Sequence, residues 1–100
     1  MAGLHAAVMR ADLRIPSSGS LKAKRRVLKS LIARLSAPSP VAVAEVDHQD
    51  LWQRATLGIA AVAPQEGQVM RLLHVAERTI RESHEVELLG TAIERCGVPE

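Results

Sequence analysis

The chain has no tyrosine and no phenylalanine, and Trp52 is its single aromatic residue. That excludes a sheet of the RNA-recognition-motif type, which stacks nucleobases on two or three aromatics. Cysteine is as scarce. Cys96 stands alone, so no internal disulfide can form, and a reducing cytoplasm is the expected compartment. No motif surrounds Cys96, which reads as a structural thiol rather than a reactive one. No apolar run approaches the roughly 18 residues that cross a bilayer. The opening MAGLHAAVMRADLR lacks the basic start and long apolar core of a secretory signal, so no membrane contact is expected.

What is present is aliphatic and charged. Hydrophobic residues make up 47% of the 100-residue chain. This is the size of a single domain, with an ordered core expected over about residues 4–96. A chain this short buries about 60–70% of its unfolded surface, so a deep catalytic cleft is hard to build without a second subunit. The net charge of +2 hides an asymmetry. Residues 1–35 carry eight Lys/Arg against Asp12 alone, whereas residues 36–100 carry five basic and ten acidic residues. Such a split points to one basic face able to meet a polyanion.

Residues 8–15, VMRADLRI, alternate: Met9, Ala11, Leu13 and Ile15 point one way, and Arg10, Asp12 and Arg14 the other. Period two with one apolar face predicts a half-buried strand. Pro16 ends it, and Ser20 is a good N-cap for a helix to about Ser36, with Leu21, Leu28, Leu31, Ile32 and Leu35 as its apolar stripe. The turn Ala-Pro-Ser-Pro at 37–40 stops that helix. Strands are expected at 41–47, 55–63 and 86–95, and a second helix over about 65–83 with Val69, Leu72, Leu73, Ala76 and Ile80 facing inward. The tail from Gly97 to Glu100 is expected to be loose. The order β-α-β-β-α-β predicts an α+β, ferredoxin-like two-layer sandwich: a four-stranded antiparallel sheet with two helices on one face. Its other sheet face is left for water, a dimer partner or RNA.

Two segments carry candidate chemistry. Lys22, Lys24, Arg25 and Arg26 crowd the first two turns of the first helix, followed by Lys29. Cations there oppose the helix dipole by about 0.3–1 kcal/mol each at low salt. Such a breach of a local rule marks a candidate phosphate cradle, which Arg14 can join. The competing reading is a solvated basic edge. Gly19-Ser20-Leu21-Lys22 is not a P-loop, since the glycine-lysine-threonine element is absent.

The second segment is AEVDHQDLWQRATLG, residues 44–58, which joins the second and third expected strands. Asp47, His48 and Asp50 have the chemistry of metal ligands or of acid–base catalysts. A metal site needs three or four ligands, however, and His5, His74 and His84 lie on separate elements. No metal, no cofactor and no catalytic residue is therefore expected. A turn stabilised by Asp side chains is one remaining reading. A recognition hairpin of His48, Gln49, Asp50, Trp52, Gln53 and Arg54 is the other, because a lone indole is a frequent binding hot spot. Capping of the sheet end over Leu51 and Leu57 is the alternative role for Trp52.

The stretches LRIPSSGSLKAKRRVLKSLIARL (13–35) and VAVAEVDHQDLWQRATLGIAAV (41–62) together resemble the YlxP-like family of small bacterial proteins, a domain of unknown function (503). The resemblance covers most of residues 8–62; beyond them the match is one of pattern. It implies a ferredoxin-like fold. Family genes often lie beside translation and ribosome-maturation factors, which implies an RNA-related role, and no catalytic residues are established to carry over. The chain departs from the family at SAPSP, residues 36–40, where a more basic, aromatic-containing turn is expected. The leading expectation is a non-enzymatic, cytoplasmic RNA- or ribosome-associated protein. A protein-interaction or homodimerisation module without RNA binding is the second, and a small hydrolase using Asp47, His48 and Asp50 the third.

Overall fold

The alternating run around Leu13 does form a strand, and every other element follows in the expected order. The computed structural model describes residues 3–37 and 40–98. It contains β1 (Leu4–Arg14), α1 (Leu21–Ser36), β2 (Val41–Asp47), β3 (Arg54–Ala63), α2 (Glu66–Arg81) and β4 (Glu87–Val98). All strand pairings are antiparallel and the sheet order is β2-β3-β1-β4. Two crossovers interleave in this way in the ferredoxin-like α+β sandwich.

One sheet face makes the core. Ala7, Met9, Ala11 and Leu13 of β1 and Ala55, Leu57, Ile59 and Ala61 of β3 are buried against Leu28, Leu31 and Leu35 of α1 and Val69, Leu73 and Ile80 of α2. Each large side chain buried there contributes about 1.5–3 kcal/mol. Alanine at four of these sheet positions leaves room for the helices, so an interior without aromatics still fills. Ser20 caps α1 from extended backbone, its Oγ accepting from the Ala23 N–H at 3.0 Å. Ile32 and Leu72 are only partly buried, at the margins of their stripes.

Two strand ends run further than the alternation indicates. β1 begins at Leu4 because Ala6, Ala7 and Val8 are apolar on both faces, which erases period two without preventing pairing. β4 continues through Gly97, part of the expected loose tail, because Leu4 pairs with Val98 and His5 with Gly97. Pro99 and Glu100 lie outside the described residues, as do Pro38 and Ser39 of the SAPSP turn.

Candidate functional site

The stripe that α1 turns to the core is led by a lysine. Lys24 lies in register with Val27, Leu28, Leu31 and Leu35 and is 1% exposed. Burying an ammonium costs several kcal/mol unless its charge and all three donors are met. Here Nζ donates to the carbonyls of His48 at 2.7 Å, Arg54 at 3.1 Å and Gln49 at 3.3 Å. Glu45 Oε2, 2.9 Å away, supplies the counter-charge. Lys24 thus fastens both arms of the β2–β3 hairpin to α1. The expectation that it joins a phosphate cradle is corrected: its ammonium is enclosed and its donors are spent on the hairpin.

His48 sits at the turn with φ 61°, a left-handed conformation that is uncommon outside glycine, though Asn, Asp and His enter it more readily than other residues. Its polar groups hold it there. The N–H donates to Asp47 Oδ1 at 2.7 Å, the carbonyl receives Lys24 Nζ and the Leu51 N–H, and Nδ1 lies 3.0 Å from Thr56 Oγ1. Thr56 is fully buried and gives its one hydroxyl proton to Asp12 Oδ1 at 2.8 Å. Nδ1 of His48 is therefore the donor to Thr56 Oγ1. The Thr56 hydroxyl, with Arg10 and Arg54 nearby, holds the Asp12 carboxyl below the usual carboxylate range against the opposing effect of burial. Arg10 bridges onward, 3.4 Å from Asp12 and 3.9 Å from Asp47. This chain of contacts organises the hairpin. Asp47 is engaged by backbone and by Arg10 and Asp50 is exposed, so these two acids and His48 do not converge on one point.

The tip of the hairpin is nevertheless presented outward. Gln53 Nε2 donates to the Pro16 and Ser18 carbonyls, and the Ile15 N–H donates to the Gln53 carbonyl at 2.9 Å, tying the loop to the end of β1. Gln49 reaches the Glu45 carbonyl at 3.4 Å. On this fixed backbone Trp52 is 54% exposed and Leu51 45%. Trp52 is therefore not a member of the buried core, to which Leu57 belongs.

The remaining basic candidates divide between two sides. Lys22, Arg25, Arg26 and Lys29 are all exposed on the outer side of α1, spaced so that they form one stripe. The helix contains no acid of its own, and Arg26 meets Glu85 at 3.8 Å. Arg14 stands on the opposite, open sheet face, paired across strands with Arg54 and Glu87, and does not join the stripe. Asp12, Thr56 and Glu45 were not legible as parts of the site. Their roles depend on cross-strand register, which brings Asp12 opposite Thr56 and Glu45 to the helix side. Cys96 is free and exposed on β4 rather than structural. Among the described residues no group of three or more His, Cys, Asp or Glu is placed to hold a metal, and no helix is long and apolar enough to cross a membrane.

Fold and surfaces together define a small α+β domain of ferredoxin-like topology with one open sheet face, a pinned polar hairpin and one cationic helix side. The chain belongs to the family described as "Protein of unknown function (DUF503)", whose pattern matches residues 6–93. It is 38% identical over 80 residues to the "Uncharacterized protein YlxP" of Bacillus subtilis (strain 168), a match covering 80% of this chain and 87% of that protein. Among solved structures, the "De novo designed protein Foldit4" aligns with a TM-score of 0.45 and 14% identity over 95% of this chain and 98% of its own.

Proposed function

We propose that the chain is a cytoplasmic RNA-binding protein, associated with ribosomal or other structured RNA, that grips phosphates along α1 and offers Trp52 as a stacking surface. One observation carries the reading. The outer side of α1 exposes Lys22, Arg25, Arg26 and Lys29 in a helix with no acid, although cations near its N-terminus are locally unfavourable. With Lys24 occupied inside, these four form the exposed cationic stripe that a phosphate backbone would meet. Trp52 lies on the hairpin that Lys24 ties to the same end of α1, and base–aromatic stacking tolerates any sequence. Affinity then comes from phosphates, with weak sequence preference. The test is fluorescence anisotropy with single-stranded and hairpin RNAs across a salt series. Tight, salt-sensitive binding supports the reading; absence of binding at low salt overturns it.

A further inference from the structure

The sheet face turned away from the helices is divided along its length. Toward the hairpin it carries Arg10, Arg14 and Arg54 with the carboxylates of Asp12, Asp47 and Glu87. Toward the other end it is mostly apolar, with Leu4, Val8, Val62 and Val98 each about half exposed and Glu94 beside Val8 on β4. A shallow depression of about 250 Å³ lies between Val8, Ala44, Val46 and Ala60, above Gly58. A Cβ on Gly58 would meet Val46 Cγ1 at 3.1 Å, so glycine there lets Val46 lie down over the sheet.

We infer that this open face docks against the same face of a second copy of the chain, with the two-fold axis running along the strands. Three observations choose that occupant. The first is area. Four strands of about 4.8 Å spacing and β1's length of about 35 Å give roughly 600–700 Å² of flat face, close to the roughly 800 Å² per partner of a stable complex. The apolar end alone falls short, so the partner must also cover the charged end.

The second is charge. Arg10, Arg14 and Arg54 on this face are met by Asp12, Asp47, Glu87 and Glu94, so it has no cationic excess to attract RNA. The third is shape. A two-fold along the strands lays apolar end on apolar end and charged end on charged end. It also sets β1 of one copy over β3 of the other, at the heights given by their own pairing. Val8 pairs with Ala60, Ala6 with Val62 and Arg10 with Gly58. In the dimer Val8, Val62 and Arg10 therefore each meet a small residue of the second copy, while the same register sets Arg14 over Arg54 with Glu87 beside it. An axis across the strands would instead press the charged end onto valines, at the cost of unpaired charge. The dimer is a four-layer sandwich whose two basic α1 surfaces face outward in opposite directions.

Sedimentation equilibrium on nuclease-treated protein in high salt tests this without reference to RNA. The expected result is twice the chain mass, with Ala60→Arg and Val8→Asp each raising the dissociation constant by about 100-fold, since a charge enters an apolar contact unpaired. Both positions are exposed in the single chain, and circular dichroism checks each variant's fold; Val8→Asp carries the test if Ala60→Arg does not fold. A parent that stays monomeric up to about 100 µM, weaker than interfaces of this size, overturns the inference. So does a dimer unaffected by either substitution, which would place the contact elsewhere, as on the free edge of β4. Association that vanishes on nuclease treatment overturns it too, because RNA would then be the bridge.

Discussion

Lys24 Nζ lies 2.7 Å from the carbonyl oxygen of His48, the shortest of the four contacts by which this ammonium joins the basic helix to the polar hairpin. It explains why a left-handed histidine is stable at the turn and why an ammonium is stable among leucines. The cation does for three converging carbonyls and Glu45 what a bound metal does elsewhere, and it does so from within the chain.

Lys24→Met should cost about 3–5 kcal/mol of stability in urea denaturation at neutral pH, as expected when one partner of a buried ion pair is removed. Three carbonyls and the Glu45 carboxylate lose their shared donor at once. RNA affinity of the folded fraction should stay within about twofold, a change of well under 1 kcal/mol. A large loss of affinity with full stability would return Lys24 to the phosphate-binding set.

Trp52→Ala should leave stability within about 1 kcal/mol, because the indole is 54% exposed and fills no core space. If bases stack on it, RNA binding should weaken by about 1–3 kcal/mol, measurable by anisotropy at fixed salt. Stability lost on the scale of a core truncation would contradict the outward placement.

Asp12 provides a pH signature. Its folded carboxyl titrates below the ordinary carboxylate value, chiefly because the Thr56 hydroxyl donates to it. The unfolded chain therefore binds the proton more readily, so this contribution to stability is present above the unfolded value and is lost as pH falls through the folded one. Asp12→Asn should flatten the acid limb of the stability curve in that window. Thr56→Val should move the Asp12 titration upward, as followed by carboxyl NMR.

Helices, strands and their order were legible because each has one apolar period over a single buried face, as Met9, Ala11, Leu13 and Ile15 show. The first four residues of β1 were not, because Leu4, Ala6 and Ala7 are apolar on both faces and carry no period. The candidate site was half legible for a similar reason. Exposed cations such as Arg25 can be counted in a sequence. The inward turn of Lys24, however, depends on Glu45 and on three carbonyls whose approach requires the folded hairpin. Arg14 was misgrouped because nearness along the chain hid the sheet lying between it and α1. The Asp12–Thr56–His48 contacts span three separate segments and become visible only with the β1–β3 register.

The basic stripe yields the most decisive number. Lys22, Arg25, Arg26 and Lys29 give four candidate phosphate contacts, so the logarithm of single-stranded RNA affinity should fall against the logarithm of salt with a slope of about −3, at roughly −0.7 per contact. Changing Arg25 and Arg26 together to Gln removes two contacts and should flatten the slope by about 1.4. The weakening should be the same for every RNA sequence, because phosphate contacts position a ligand without reading its bases. Folding should scarcely change: both side chains are exposed, the Arg26–Glu85 contact is a long surface pair, and fewer cations near the start of α1 relieve dipole repulsion. A double variant that keeps both parental affinity and parental slope would make the stripe a solvated surface and remove the main support for RNA binding. The open-face dimer would be untouched by that result, since its contacts lie across the sheet from α1.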